Sequence, residues 1–450
     1  MTDLLTSIQA ALDLPLTSPI FTGSGVLPST FAVTDLAGAS LAAAGQAVAE
    51  LLQQQNGQRP VVEVDRRLAS LWFGSAVQPL GWEIPPPWDP IAGDYASADG
   101  WIRLHTNAPH HRRAAERVLG LASDRSAMAS KVAQWSAAEL EQAVVEAGGC
   151  AAQMRSWSAW QEHPQGLAVN AEALVQRDSN DSHGSRTWQG SPARPLAGIK
   201  VLDLTRVLAG PVASRLLAGL GAEVLRIDPP TWDEPALTPD VTLGKHCARL
   251  NLHDAADREV FESLLGGADI LLHGYRADAL EGLGYDAPRR QRLAPGLIDV
   301  SLNAYGWSGP WRNRRGFDSL VQMSSGIAQA GMLWKQADKP IPLPVQALDH
   351  GTGYLMAAAA IRALTERLRN GLGGSARLSL ARTAKLLLEQ GAVNGTEPLS
   401  PLGTRDWNPL LEQTSWGPAR RLLSPLKVGT QPLQWDSGAT KLGAHPPRWW

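Results

Sequence analysis

From Ala197 onward, short apolar runs alternate with amphipathic segments of helix length, and this alternation constrains the fold more than any other feature of the chain. IKVLDLT reads as a buried strand, RVLAGPVASRLLAGL as a turn and helix, and GAEVLRID as a second strand. ARLNL, a helix over Ala255–Leu265, ADILLHGY and GLIDVSLNAYG continue the pattern. Strands that are apolar on both faces and separated by helices form a parallel sheet covered on two sides, so the expected class is α/β, a doubly wound (Rossmann-like) sheet. Gly210 and Pro211 open the first helix, where free N–H groups could meet a phosphate. The fingerprint G-x-G-x-x-G is absent, so a dinucleotide is not indicated.

A second constraint is a repeat. LPVQALDHGTGYLMAAAAIRAL (343–364) places one acid, Asp349, between an extended run and an Ala-rich helix. FAVTDLAGASLAAAGQAVAELL (31–52) has the same plan around Asp35. Asn56-Gly57 and Asn370-Gly371 then stop the two helices, and VVEVDRR and ARLSLAR follow as short strands. Asp35 and Asp349 are 314 residues apart, whereas Val62 and Leu378 are 316 apart, which points to duplication of one structural half. Each Asp has two local readings: an N-cap, or a working carboxylate at an uncrowded strand-to-helix junction.

The expected organisation is a partial repeat of the Asp-helix-strand half (1–74), a small α+β domain (75–175), an exposed polar linker (176–196), the Rossmann-like half with Asp349 (197–390), and a largely irregular tail wrapping over another part of the protein or a partner (391–450). A net charge of −2 without long Lys/Arg blocks does not suggest a nucleic-acid partner, and none is expected. No apolar run reaches membrane-span length, and the N-terminus lacks the basic region of a signal peptide. Cys150 and Cys247 offer neither a disulfide framework nor metal spacing, which suits a reducing cytoplasm. His105, His110 and His111 have no acid or thiolate at metal spacing, so they read as a solvated cluster and no metal is expected.

The block PLAGIKVLDLTRVLAGPVASRLLAGLGAEVLRIDPP resembles the opening of the family III CoA-transferases, the group of the formyl-CoA and carnitine CoA-transferases and alpha-methylacyl-CoA racemase. The resemblance runs through LGKHCARLNLHDAADREVFESLLGGADILLHGYRADALEGLGYD and SLNAYGWSGPWRNRRGFDSLVQMSSGIAQAG to ALDHGTGYLMAAAAI, and residues 25–165 also look like family sequence, giving a rearranged member with a duplicated half. It implies the family's fold and acyl-CoA:carboxylate CoA transfer, with Asp349 as nucleophile (Asp35 as the alternative) and backbone N–H groups around Gly351 and Gly353 for the oxyanion. It further implies CoA contacts from Arg206, Val207, Leu208, Ala209, Arg226, Lys245, Tyr275 and Arg276. Acyl-CoA and a carboxylic acid would be substrates, with no permanently bound cofactor, and a homodimer is the usual assembly. Three departures bear on this. Lys245-His246 replaces a Lys-Arg pair and His273-Gly274-Tyr275-Arg276-Ala277-Asp278 replaces a Glu-Asn-Phe-Arg-Pro-Gly segment, which leaves open a non-catalytic binding protein. Gly316-Phe317-Asp318 lacks the histidine that a two-base racemase uses, although His350 beside Asp349 keeps a racemase or isomerase as an alternative; its expected place is facing solvent or capping.

Overall fold

The computed structural model describes residues 2–184, 188, 190–274, 278–391 and 397–450. Its largest sheet has seven strands, labelled here in chain order: β1 (Gln176–His183), β2 (Lys200–Asp203), β3 (Glu223–Asp228), β4 (His246–Arg249), β5 (Ile270–His273), β6 (Ile298–Asn303) and β7 (Leu372–Ser379). They lie in the order β4-β3-β2-β5-β6-β7-β1. All neighbours are parallel except β1, which runs antiparallel to β7 at the edge. The central strands are buried on both faces, as Ile270 through Leu272 illustrate, because helices cover both sides. The doubly wound α/β fold expected from the alternation is therefore present. Strand order reverses between β2 and β5, and in such sheets the crevice at the carboxyl ends of the diverging strands is where ligands bind.

Three helices position the site: α1 (Val33–Asn56), α2 (Ala209–Gly219) and α3 (Ala347–Asn370). The repeat is plain in α1 and α3. Both have 24 residues, an Asp third from the start, and a left-handed glycine cap at Gly57 and Gly371. The helices that follow are capped by the side chains of Asp65 and Ser379, again 314 positions apart, so the offset of 316 at the strands closes up. Leu36 meets Gly351 near the helix starts, and Glu50 and Gln54 receive Arg369 near the ends. α1 and α3 thus run side by side in the same direction, almost in register. Ala39, Ala42 and Ala43 on one helix and Ala357 through Ala360 on the other are all buried, and such small side chains let the two backbones approach.

The small domain contains the antiparallel strands Gly93–Ala96, Trp101–Leu104 and Ala151–Gln153. Helices Pro109–Leu119, Arg125–Val132 and Ala137–Glu146 pack on them around Ile102, Leu104, Met128 and Leu140. Cys150 and Ala152 bury this domain against Leu320 and Met323 of the α/β half, with Phe317 at the seam.

Two boundaries differ from expectation. Residues 176–183, polar enough to read as linker, form edge strand β1, which can be polar because one side of an edge meets water. The tail is less irregular than expected. Leu426–Val428 pairs with Val62–Asp65, Gly417–Arg421 pairs with Val77–Pro79, and Trp435 stacks on Trp72 at 5.6 Å, so the wrapping joins the tail to the first segment of the same chain.

Candidate active site

At the β2/β5 switch point a cavity of about 350 Å³ is lined by the loop after β2, by Gly274 and Ala279 after β5, and by Asp349. Arg206, Val207, Leu208 and Ala209, expected as CoA contacts, all line it. Val207 has φ 65°, a left-handed conformation that β-branched residues rarely adopt and that costs about 1–3 kcal/mol. The surroundings hold it there. Glu234 accepts the Val207 N–H at 2.9 Å, and the same carboxylate accepts from Arg226 and from Trp232 Nε1.

Arg226 and Lys245 do not face this cavity. Arg226 is fully buried, with Nε 2.8 Å from Asp228 and Nη2 on Glu234, so it braces the loop through Glu234 instead of touching ligand. Lys245 is also fully buried; its Nζ lies 3.3 Å from Asp203 and 3.0 Å from the Pro211 carbonyl. Burial lowers its pKa to about 8 against the pull of Asp203. Asp203 in turn accepts from the Thr205 N–H and from Ser214, tying the loop after β2 to α2. Both cations were expected at the nucleotide, and both are structural. Tyr275 and Arg276 lie outside the described residues.

Asp349 sits in the first turn of α3 and is 8% exposed, its exposure being into the cavity. It is not the helix cap, since the N-cap is Gln346 and no side chain caps there. Behind it, Asp318 Oδ2 accepts the Asp349 backbone N–H at 2.9 Å, and Gln322 donates to the other oxygen. Burial raises the Asp318 carboxyl to about 6 despite these donors. Burial, and then the Asp318 charge, push the Asp349 carboxyl well above the ordinary carboxylate range. Two adjacent buried carboxyls cannot both ionise cheaply, so at neutral pH the pair tends to retain a proton.

Gly351 and Gly353 do not form an oxyanion hole here. Both lie past the first turn of α3, where each N–H points at the carbonyl four residues back. Their role is close packing: a Cβ on Gly353 would lie 2.3 Å from the Ala209 carbonyl oxygen, and one on Gly351 would lie 3.2 Å from Leu36.

Asp35 occupies the matching place on α1, but Arg66 is ion-paired to it at 2.5 Å. Arg66 opens the helix after its strand, and at the corresponding position after β7 stands Leu380, an apolar wall of the Asp349 cavity.

The histidines differ from expectation too. His105 and His111 are buried, not solvated, and burial lowers each to a pKa of about 3. Phe317 stacks on His105 at 3.7 Å and meets His111 edge-on, closing the seam between the two halves. His350 is 1% exposed, neither solvent-facing nor a cap; it stacks on Phe73 at 5.0 Å and burial lowers it to about 3. It is not among the residues lining the cavity. Among the described residues no group of three His, Cys, Asp or Glu could hold a metal ion.

Comparison with known proteins bears on the same segment. The chain is 35% identical over 218 residues to acetyl-coenzyme A transferase nodX of Hypoxylon pulicicidum, covering 46% of this chain and 36% of that protein. It is 28% identical over 239 residues to formyl-CoA:oxalate CoA-transferase of Escherichia coli O81 (strain ED1a), covering 50% and 56%. It thus spans from about a third to just over half the length of these curated relatives. A crystal structure of the hypothetical protein Rv3272 from Mycobacterium tuberculosis aligns with a TM-score of 0.40 at 31% identity, over 45% of this chain and 58% of that one. Residues 196–406 match CoA-transferase family III. That segment, which holds the loop after β2 and Asp349, belongs to CoA-transferase family III.

Proposed function

We propose that this chain moves CoA from an acyl-CoA thioester to a carboxylic acid, with Asp349 as nucleophile. The observation that supports this best is the placement of Asp349 in the cavity at the strand-order reversal, facing the loop after β2 within the family-matched segment. The Asp349 carboxylate attacks the thioester carbonyl carbon; the C–S bond breaks, leaving a mixed anhydride and CoA thiolate. The thiolate attacks the aspartyl carbonyl carbon, the anhydride C–O bond breaks, and the first acid departs from an enzyme-CoA thioester. An incoming carboxylate attacks that thioester to re-form an anhydride and thiolate. The thiolate then attacks the new acyl carbonyl, releasing the new acyl-CoA and the free Asp349 carboxylate. Splitting the transfer this way keeps each intermediate about as activated as the thioester it replaces.

The raised Asp349 pKa makes its carboxylate, once ionised, a more basic and hence better nucleophile. CoA and acyl-CoA act as substrates in this reading, with no resident cofactor and no membrane or nucleic-acid partner. Two unpaired buried thiols accord with a cytoplasmic location. The small domain and Asp349 meet within one chain, so a homodimer would add a partner without being needed to complete this cavity. Racemisation is the weaker reading, because Phe317 stands where a second base would be and His350 is buried away from the cavity. Hydroxylamine should trap an aspartyl hydroxamate on Asp349 after incubation with acyl-CoA. Transfer that survives Asp349→Ala would refute the assignment.

A further inference from the structure

Beside the Asp349 cavity lies a second one of about 690 Å³, between the small domain and the α/β half. The two share His110, Arg206, Val207, Trp232 and Phe317 as lining, so one opens past the other. In the opposite direction, along the carboxyl ends of β2 to β4, a space of about 150 Å³ runs past Leu204, Ile227 and Leu250. The thioester therefore has two flanks: one along the strand ends and a roomier one under the small domain.

The walls of the larger cavity mix apolar and polar side chains, and the aromatic ones are held in place. Trp88 lies edge-on to His105 at 5.8 Å, with the Arg103 guanidinium 4.9 Å over its ring. Phe317 stacks on the other side of the seam against His105. Trp232 is covered by Arg206, 5.0 Å from its centroid. Pro86, Pro87 and Leu237 complete the surface. Of its three acids, Asp89 is taken up by Thr106 and Arg112 and Glu234 by Arg226 and the Val207 N–H, while Asp233 lies at the exposed rim and accepts the Glu234 N–H. Arg206 and His110 line both cavities, and because burial lowers the His110 pKa it is the Arg206 guanidinium that puts positive charge where they meet, with Arg113 farther in under the small domain.

We propose that the acid exchanged at Asp349 is a bulky carboxylic acid with an apolar, aromatic or branched body. Its carboxylate passes the Arg206 guanidinium at the junction, and its body fills the cavity beneath the small domain. This rests on the CoA-transfer reading above. Ligand pockets bury most of the surface of what they bind, and a two-carbon acid would leave this space almost empty. A guanidinium pairs well with a carboxylate, whereas the aromatic walls offer it nothing, so the junction orients the acid with its carboxylate toward Asp349.

The test uses the full chain with acetyl-CoA as donor and a panel of acceptors: acetate, oxalate, phenylacetate and 2-arylpropionate. Wild type should transfer CoA to the aryl acids with the higher kcat/KM. Ala236→Phe, which fills the larger cavity from its wall, should lower kcat/KM for the aryl acids by about 10–200-fold, the range for a misfitted apolar pocket. It should leave acetate turnover and the KM for acetyl-CoA unchanged. Trp88→Ala, at a half-exposed position, should raise the KM for the aryl acids alone and guards against a folding defect in the first variant. Preference for acetate or oxalate in wild type overturns the proposal. So does a rise in the acetyl-CoA KM with every acceptor, which would assign the cavity to CoA. If no acid is turned over and no hydroxamate forms on Asp349, the CoA-transfer reading falls and takes this proposal with it; aryl-acid failure alongside a labelled Asp349 overturns only the proposal.

Discussion

Alanine at Gly351 and at Gly353 should have different effects, although the two positions share one helix and gain the same backbone benefit. Ala is favoured over Gly inside a helix by about 1 kcal/mol. At Gly353 the added Cβ would lie 2.3 Å from the Ala209 carbonyl oxygen and 3.0 Å from Val212 Cβ. A backbone oxygen at the start of α2 cannot rotate away, so α2 and α3 must separate. Overpacking of this kind costs about 1–3 kcal/mol or more, which leaves Gly353→Ala destabilised by up to about 2 kcal/mol after the helix gain. At Gly351 the nearest atoms are the methyl ends of Leu36 at 3.2–3.4 Å, which can shift by a few tenths of an ångström. Gly351→Ala should therefore stay within about 1 kcal/mol of wild type. Urea denaturation of both variants measures the difference directly. Ala209 and Asp349 also share the cavity wall, so moving α2 against α3 displaces the loop from the nucleophile. A misplacement of about 1 Å costs on the order of 100-fold in rate. Both variants keep their N–H groups, so a loss of turnover confined to Gly353→Ala would identify packing as the cause. If Gly351→Ala proves the less stable of the two, or Gly353→Ala is as stable and active as wild type, the close-approach account is wrong.

Asp318→Asn removes the negative charge behind Asp349, so the rising limb of transfer activity against pH should move to lower pH, as measured by initial rates from pH 4.5 to 8. The same substitution should flatten a stability trend. Burial holds the Asp318 carboxyl at about 6, above its unfolded value, so wild type is expected to lose stability as pH rises from about 4 through about 6, a penalty absent below the unfolded pKa. Lys245→Met should destabilise by about 3–5 kcal/mol, because it strands the buried Asp203 carboxylate, and the remaining folded protein should keep its KM for acyl-CoA; a KM change without a stability change would restore Lys245 to the CoA site. Arg66→Leu should cost about 1–3 kcal/mol in chemical denaturation by removing the guanidinium from Asp35, with transfer activity unchanged.

The sheet was legible because its code is redundant. Each central strand is an apolar run bounded by turn residues, and each helix repeats its apolar face, so β2, β3, β5 and β6 fall where the alternation puts them, while β4 starts two residues ahead of ARLNL. Asp349 was legible because the resemblance carries position as well as residue type. Lys245 and Arg226 show the limit. A cation beside or within a buried strand reads the same whether it reaches toward a ligand or turns inward to a carboxylate, and the deciding partners, Asp203, Asp228 and Glu234, are set by tertiary packing. Asp318 was visible only as part of a departing motif. No local pattern predicts that a residue 31 positions upstream accepts the Asp349 N–H. The same holds for His105 and His111, whose burial depends on Phe317 arriving from the other half.

The two aspartates then separate on chemistry rather than on fold. They share helix length, position in the first turn and the left-handed stop, so the scaffold treats them alike. What differs is the first residue of the helix that follows the next strand. Arg66 places a guanidinium on Asp35, and a carboxylate so engaged is a poor nucleophile. Leu380 places a hydrocarbon wall on the Asp349 cavity, and burial together with the Asp318 charge raises the Asp349 pKa instead of damping its basicity as a guanidinium would. The loop after β2, which would present CoA, lines the cavity that holds Asp349, and Asp35 is not among the residues of that cavity. On the proposed function, a helix pair with two-fold likeness would then support one reactive carboxylate, and the side it lies on would follow from one leucine-for-arginine difference together with the α/β half packed against α3.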